Sequence, residues 1–311
     1  MIKRFFWVLV LLLAVFFAGI YIYIPSTISA NGSVVVITTE RHTADFLTTY
    51  AGWKAWWPGE KSKDEKTYRY RGNTYQLTRL NNSGPSLVSV SNNTLINADI
   101  TFIGVDKEST RVTWAGTLKT SSNPLKRIKQ YEEIAELKKN LDELLQRLKQ
   151  FLDDDKNVYH ISVKVQQVKD SVILTTNIIL KQTPDVQQVY KLIAVLKQQV
   201  EQQHGVETGP PMLNVHQSGV SQFDVMVGIP ISKSIKTGGQ VSIHKMVLGN
   251  ILVAEVKGGL NTVQSSINSL DTYRKDHNLV SPAMPYQSLV INRMAEKDTS
   301  KWVTKIYSPI F

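Results

Sequence analysis

The side chains best placed to meet a ligand stand on two strand-like segments near the end of the chain. Both segments end on Pro-Ile, and superposing these endings aligns Lys305 with Met226 and Tyr307 with Gly228. Because successive side chains of a strand point to opposite faces, Lys305 and Tyr307 share one face. A lysine beside a soft thioether favours an anionic or neutral organic ligand over a cation.

Glu255 is the one carboxylate that this arrangement could use. It lies in an apolar strand-like run, residues 251–256, where burial would raise its pKa and require a partner such as Lys305. The alternative is a solvent-facing position near the strand end, because Lys257 continues the exposed face. The complete set of candidate ligand-binding residues is Met226, Gly228, Glu255, Tyr286, Trp302, Lys305 and Tyr307.

No residue pattern indicates a catalytic centre, a metal site or a cofactor. The chain has no cysteine, which excludes thiolate ligands and a cysteine nucleophile. His204 and His277 occupy corresponding places in two helix patterns, at the carboxyl end, where a cation stabilises the helix dipole. Three consecutive aspartates at 153–155 lack the spaced oxygen ligands of a calcium loop. We therefore expect neither metal nor cofactor.

The elements that carry these residues occur twice. Between residues 183 and 311, a helix pattern, a proline-containing turn and a closing strand are followed by the same succession. Two strands precede each helix pattern, at 158–168 and 171–180 in the first copy and at 240–246 and 251–257 in the second. Two βαββ copies imply a pseudo-twofold domain with a ligand pocket at the seam between them.

The helix of the first copy has a recognisable start. Thr183 is expected to cap it, Pro184 to occupy its first position and Asp185 to lie in its first turn.

This part of the chain, residues 158–311, resembles the GyrI-like effector-binding domain. The resemblance is carried by Gly209-Pro210-Pro211, by the segment 223–231 (FDVMVGIPI) and by the segment 300–310 (SKWVTKIYSPI). It implies two βαββ halves around a central pocket for small organic molecules. The family often has acidic residues at the central strand positions, which here hold Met226 and Lys305. Some relatives are hydrolases that use a pocket acid, so hydrolysis remains an alternative.

The N-terminus carries an apolar run at residues 5–24, long enough to cross a bilayer as a helix of about 20 residues. Lys3 and Arg4 precede it, and no basic residue follows until Arg41, which predicts a cytoplasmic N-terminus. The run exceeds the usual apolar region of a signal peptide, so we expect an uncleaved anchor, with cleavage as the alternative. Everything that follows would lie outside the cytoplasm.

Between the anchor and residue 155, the pattern is a strand, two short helices, a series of strands and one long helix. Leu125, Ile128, Tyr131 and later apolar residues up to Leu152 recur at steps of three or four. A helix lying across a curved sheet encloses a cavity.

Residues 31–155 resemble the START-like superfamily, also called the SRPBCC or polyketide-cyclase superfamily. The carrying residues are the entry segment 38–57, with Trp53 and Trp56, and Ser109-Thr110-Arg111-Val112-Thr113-Trp114. The resemblance implies a cavity, and we expect Trp53, Trp56 and Trp114 to line it.

A formal net charge of +10 raises polyanions as partners. The Lys and Arg residues are scattered, however, and no nucleic-acid-binding motif accompanies them, so we expect no nucleic acid partner. The predicted fold is α+β, with a transmembrane anchor at 1–25, a START-like domain at 31–155 and a GyrI-like domain at 158–311. The leading functional hypothesis is a membrane-anchored small-molecule binder. A hydrolase or cyclase-like enzyme, and a scaffold that uses the helix 125–152 as an intermolecular coiled coil, are the alternatives.

Overall fold

The computed structural model describes residues 2–91, 94–168, 172–246 and 248–311, with side chains from Phe5 onward. The chain divides into two compact units, Met1–Asp154 and Asp155–Phe311. The division falls within the run of three aspartates. Asp153 caps the carboxyl end of the preceding helix, and one of its oxygens accepts a hydrogen bond from the Ile37 N–H at 2.6 Å.

The first unit contains a long helix and a seven-stranded antiparallel sheet in the order β1-β7-β6-β5-β4-β3-β2. Its helices are α1 (Ile2–Tyr23), α2 (Glu40–Leu47), α3 (Tyr50–Trp56) and α4 (Pro124–Leu152). Its strands are β1 (Thr27–Val36), β2 (Glu60–Lys61), β3 (Thr67–Tyr70), β4 (Asn73–Arg79), β5 (Ser86–Ser91), β6 (Thr94–Gly104) and β7 (Thr110–Lys119).

Helix α4 covers the inner face of this sheet. Asn123 caps its first turn, where Pro124 supplies a fixed φ and no unsatisfied N–H. The apolar positions that α4 buries are Ile134, Leu137, Leu141, Leu144, Leu145, Leu148 and Leu152. Side chains in β6 and β7 alternate between buried and exposed along the strands, as expected when a helix covers one face only.

The apolar stripe of α4 packs against the sheet over only part of its length. Leu125 is 67% exposed and Tyr131 is 38% exposed. Tyr131 instead packs edge-on against Tyr23 of α1, with ring centroids 5.9 Å apart. The first turns of α4 thus support the end of α1, and the stripe begins to cover the sheet near Ile134.

Helix α1 is apolar and almost entirely exposed. Residues Phe5–Tyr23 have a mean hydropathy of 2.7, and 6% of the most apolar 18-residue window is buried. Its carboxyl end is an exception, because Ile20 and Ile24, the residue that follows the helix, are buried within the first unit. Length and composition suffice for one membrane span, a test that signal sequences also pass.

The second unit contains an eight-stranded antiparallel sheet in the order β12-β9-β11-β10-β14-β15-β13-β8. Its helices are α5 (Asp155–Tyr159), α6 (Val186–Gln202) and α7 (Leu260–Asp276), with a 3-10 turn at Thr299–Lys301. Its strands are β8 (Val163–Gln167), β9 (Val172–Leu180), β10 (Met212–Gly219), β11 (Gln222–Pro230), β12 (Ser242–Lys245), β13 (Asn250–Lys257), β14 (Tyr286–Leu289) and β15 (Val303–Ile310).

The strand order is symmetric between the two copies. The first copy consists of β8, β9, α6, β10 and β11, and the second consists of β12, β13, α7, β14 and β15. When each element is replaced by its counterpart in the other copy, the strand order reads the same from the opposite edge of the sheet. Each copy places its first strand on the far edge of the other copy, β8 beside β13 and β12 beside β9. The copies join where β10 pairs with β14, and Leu213 opposite Gln287 lies at the centre of that seam.

Several local expectations differ from the structure. The predicted strand 158–168 begins with α5, and strand character starts only at Val163. Ser171, the predicted start of the next strand, lies outside the described residues. The cap of α6 is Asp185 rather than Thr183, because the Asp185 carboxylate accepts the Gln188 N–H and the Gln188 side chain accepts the Asp185 N–H.

The carboxyl ends of α6 and α7 correspond to each other, but the alignment differs by one residue from the expected pairing of His204 with His277. His204 and Asn278 both have positive φ, 48° and 50°, immediately after the cap residue of α6 and α7. His204 is therefore equivalent to Asn278, and His277 is itself the cap residue of α7.

Candidate functional site

The second sheet has one face covered by α6 and α7 and one face open. Leu213, Val225, Val227 and Ile229 point to the covered face and form its core with helix residues such as Leu196. Strand alternation places the neighbouring residues on the opposite, open face. Of the sequence candidates, those on the open face are Met226, Gly228, Glu255, Tyr286, Lys305 and Tyr307.

A cavity of about 160 Å³ lies on this open face. It brings together two sequence candidates, Tyr286 and Tyr307, with residues from both edges of the sheet. Its lining residues are Gln166, Gln167, Val168, Gly209, Pro210, Met212, Pro230, Met246, Ile251, Tyr286, Ser288 and Tyr307. None of these described lining residues carries a formal charge at neutral pH.

The two tyrosines form the aromatic wall of the cavity. Tyr286 and Tyr307 are directly opposite each other on β14 and β15, and their rings stack at 5.0 Å between centroids with an interplanar angle of 13°. Parallel rings present a flat apolar surface with a hydroxyl at one end. Such a wall can hold a planar molecule and donate or accept a hydrogen bond at its edge.

The equivalent place in the first copy is filled. Tyr307 corresponds to Gly228, and a Cβ added at Gly228 would lie 2.7 Å from the Ile173 side chain. The first copy therefore has no room for an aromatic residue at this position. The cavity is asymmetric for this reason, although the backbone around it is pseudo-twofold.

Lys305 and Glu255 form an ion pair outside the cavity lining. They are opposite each other on β15 and β13, with Nζ 3.7 Å from a carboxylate oxygen. Their side chains are 40% and 63% exposed, so the pair lies in solvent-accessible surroundings and contributes little to stability. The expected pairing is present, but the acid is solvent-facing rather than buried.

Trp302 lies on the other side of the sheet from Tyr307. It is 6% exposed, and its indole N–H donates to the Glu296 carbonyl at 2.8 Å. The Arg293 guanidinium stacks on its ring at 5.1 Å. Strand alternation places residue 302 on the face towards the helices, so Trp302 does not join Lys305 and Tyr307 on the open face. Met226 and Gly228 lie on the open face but do not line the cavity.

In the first unit, the predicted cavity residues form an aromatic core. The ring centroids of Trp53 lie 5.0 Å from Trp56 and 6.3 Å from Trp114, and Tyr68 and Tyr75 complete the cluster. Burial raises the pKa of Tyr68 to about 12 and also raises the pKa of Tyr75. These rings contact one another, and their role in ligand binding stays a prediction.

Three polar groups in that cluster are unusual. The indole N–H groups of Trp56 and Trp114 and the hydroxyl of Tyr75 are buried without a hydrogen-bond partner among the described residues, whereas Trp53 donates to the Leu47 carbonyl at 2.7 Å. Buried polar groups in proteins are nearly always paired, so these groups are exceptions within an otherwise apolar core.

Several lining residues of the open-face cavity were not candidates from the sequence. Gln166, Met212 and Met246 come from three strands or strand ends that meet only because the sheet curls. Met212 could have been found, since it is the equivalent of Tyr286 when β10 is superposed on β14. Gln166 and Met246 carry no such signal, because the exchange of edge strands between copies is not visible in the repeat.

No group of three or more potential ligands for a metal ion occurs among the residues that the structure describes.

No family model matches the chain, and no curated protein matches it. Several solved structures are similar in part. The C-terminal domain of EcmrR is 15% identical with a TM-score of 0.43, covering 49% of this chain and 98% of that one. SAV2435 bound to tetraphenylphosphonium is 13% identical with a TM-score of 0.32, covering 48% and 94%. A hydrolase from Listeria innocua is 9% identical with a TM-score of 0.35, covering 48% and 92%. At such low identities and scores, these similarities assign neither ligand nor activity to this chain.

Proposed function

We propose that this chain is a membrane-anchored protein that binds a small, neutral organic molecule in the open-face cavity of its second unit. The observation that carries the proposal is the cavity wall itself. It combines a stacked tyrosine pair with apolar Met and Ile side chains and a few convergent polar groups, the composition of small-molecule sites in general.

The size of the cavity limits the ligand. Sites for drug-sized molecules usually measure about 300–1,000 Å³, whereas this cavity measures about 160 Å³. A molecule of a few non-hydrogen atoms fits without rearrangement. A larger planar molecule would require the rings of Tyr286 and Tyr307 to separate.

The residues that line the cavity favour an uncharged ligand. The described wall offers Gln166, Ser288 and two phenol groups but no formal charge. Lys305, the reason to expect an anion, is already paired with Glu255 outside the wall. A neutral ligand with hydrogen-bonding edges therefore fits better than either ion.

We propose an uncleaved anchor at residues 5–24. The run is apolar, is exposed over nearly its whole length and follows Lys3 and Arg4. Water would be a poor solvent for such a surface. On this proposal, both units lie outside the cytoplasm.

The proposed relationships are a START-like first unit and a GyrI-like second unit. The first rests on the order of strands and helices and on α4 covering the sheet. The second rests on the paired copies, each a βαββ unit preceded by one further strand, and on the residues quoted for the resemblance. Both relationships are compatible with ligand binding, and fold alone does not establish it.

The enzyme alternatives are favoured by no specific observation. General acid–base catalysis needs a titratable group within hydrogen-bond reach of the substrate. The cavity lining has tyrosines but no carboxylate or imidazole among its described residues, and Glu255 is exposed and paired. A coiled-coil scaffold is also disfavoured, because α4 buries its apolar stripe from Ile134 onward within its own unit.

Filling the cavity tests the proposal. Native mass spectrometry of the full-length chain, purified in a neutral detergent, should detect a co-purifying small molecule that is recovered intact after prolonged incubation. Met212→Trp should remove it, because the larger ring enters the space that the ligand needs. The matched control is Met294→Trp, since Met294 is 50% exposed and is not among the lining residues.

Titration calorimetry with added probes gives a second measurement. A neutral phenol should bind the full-length chain at least about tenfold more tightly than tetraphenylphosphonium or a short fatty-acid anion. The same Met212→Trp change should weaken phenol binding and leave the control unaffected. If the cation or the anion binds most tightly, the ligand is not neutral; if Met212→Trp alters nothing, the cavity is not the site.

A further inference from the structure

A second cavity lies on the covered face of the second sheet, where the two helices begin. It measures about 260 Å³ and is lined by residues of the first turns of α6 and α7, together with Leu213 and Gln287 at the centre of the seam. Because Leu213 and Gln287 alternate with Met212 and Ser288, this cavity and the open-face cavity lie on opposite sides of the sheet. They are separate sites.

The buried cation of this helix-side cavity has no ion-pair partner among the described residues. Arg293 lines it and is 6% exposed. Its side chain donates to the Thr304 hydroxyl at 2.8 Å and stacks on Trp302, and its backbone N–H donates to the Tyr190 hydroxyl. No carboxylate forms an ion pair with Arg293 in the part of the chain that the structure describes. Burial lowers the pKa of its guanidinium, although arginine stays charged at neutral pH.

A buried guanidinium is normally balanced by an anion. The aromatic face of Trp302 offsets part of the lost hydration through a cation–π contact. A neutral hydroxyl and an aromatic ring supply no negative charge, so a desolvation cost remains. The remaining N–H donors of Arg293 are suited to the paired oxygens of a carboxylate or phosphate.

The two helix starts differ in a way that points to the same missing charge. The residue before α6 is Asp185, whose carboxylate caps the helix. The equivalent residue before α7 is Gly259, which makes no side-chain cap hydrogen bond. The first copy thus supplies a carboxylate to its helix N-terminus, whereas no side chain caps the N-terminus of α7 in the part of the chain that the structure describes. The positive end of α7 and Arg293 both border the cavity, and the Asp185 carboxylate in its lining is hydrogen-bonded to the start of α6.

Two lining residues restrict what the anion can be. Asp185 also lines the cavity, but its carboxylate accepts the Gln188 N–H at 2.7 Å and serves the start of α6. The Gln287 side-chain oxygen is buried without a donor among the described residues. An anion that also carries a hydroxyl would supply that donor, as hydrogen phosphate or a hydroxycarboxylate does.

We propose that the helix-side cavity binds a small hydroxyl-bearing anion, held by Arg293, the N-terminus of α7 and the Gln287 side-chain oxygen. This site is independent of the open-face cavity and of the ligand proposed there. Inorganic phosphate is the probe, and sulfate, which carries no hydroxyl at neutral pH, is the comparison.

The decisive variant is Gly259→Asp, which gives α7 the cap that α6 already has. A side chain fits there, because an added Cβ would meet nothing closer than Thr299 at 3.5 Å and the φ angle of −77° suits any residue. We expect a higher melting temperature without phosphate and phosphate binding weaker by at least about tenfold. Gly238→Asp is the matched control, since a Cβ at Gly238 meets nothing within 4 Å.

Calorimetric titration of the full-length chain provides the affinities. Arg293→Gln should weaken phosphate binding by at least about tenfold. If Arg293→Gln does not fold, the comparison of Gly259→Asp with Gly238→Asp still decides the test. Sulfate should bind more weakly than phosphate. The proposal is overturned if millimolar phosphate does not bind the wild-type chain, or if Gly259→Asp binds it as well as Gly238→Asp does. Equal affinities for the two anions would overturn the role of Gln287.

Discussion

Tyr68 is a residue whose ionisation is linked to folding. It is 1% exposed in the aromatic core of the first unit, and its hydroxyl donates to the Glu65 carbonyl at 3.0 Å. Desolvation, with smaller contributions from Glu65 and Asp64, raises the pKa of Tyr68 to about 12. The core therefore requires the neutral phenol.

The sign of the pH dependence follows from this shift. A folded-state pKa above the unfolded value of about 10 means that stability is fully present below pH ~10 and is lost as the pH rises towards 12. We expect Tyr68→Phe to reduce this loss of unfolding free energy at alkaline pH by up to about 1.4 kcal/mol per pH unit. Urea unfolding of the full-length chain at pH 8 and pH 11 measures it. At pH 8 the Tyr68 phenol is neutral in both the folded and the unfolded chain, so that value isolates the lost hydrogen bond. Parallel changes in wild type and variant between the two pH values would contradict the expectation.

At the scale of the element, α4 is divided between two roles. Its turns from Ile134 onward cover the sheet, and its first turns support the end of α1. The stripe is continuous in sequence because apolar spacing does not distinguish one packing partner from another. Only the position of the sheet decides where the burial begins.

This division predicts different costs for the same substitution. Leu144→Ala removes a side chain that is fully buried against the sheet, and we expect it to lower the free energy of unfolding by about 2–5 kcal/mol. Leu125→Ala, at a side chain that is 67% exposed, should change it by no more than about 0.5 kcal/mol. Chemical denaturation followed by near-ultraviolet circular dichroism measures both. Equal effects would mean that the stripe packs against a partner along its entire length.

At the scale of the whole molecule, the proposed anchor is joined to the first unit by specific contacts. The Arg127 side chain donates to the Ile24 carbonyl at 2.9 Å, and its guanidinium lies 4.8 Å from the ring of Tyr21. The Tyr21 hydroxyl donates to the Ser122 carbonyl. Helix α1 is therefore held at its carboxyl end by contacts with the rest of the first unit.

The proposed span is tested by membrane retention. The full-length chain should remain in the membrane fraction after alkaline carbonate extraction. Replacing Leu11 and Leu12 by Arg should release it, since each charge at the centre of a span costs about 2.5–3.5 kcal/mol. Val220→Arg, at a turn residue that is 98% exposed, is the control for an added charge and should have no effect. Release of the wild-type chain by carbonate would exclude an integral anchor.

The sequence by itself determined the succession of elements in both units. Alternation and the three-to-four-residue spacing located most strands and helices, including α4, because backbone geometry imposes these periods wherever one face is buried. The repeat likewise predicted the paired copies of the second unit. Short elements such as β2, β14, α5 and the turn at Thr299–Lys301 were missed, since so few residues carry no period, and the longer strand β10 was not located after its proline-containing turn.

The tertiary structure decided which residues meet. The exchange of β8 and β12 between the copies brings Gln166 and Met246 to one cavity, and no local pattern encodes that exchange. The same holds for Arg293, which gains its significance from burial beside an uncapped helix. Side-chain type and spacing are properties of the chain, whereas burial, charge balance and contact between distant strands depend on how the sheet curls.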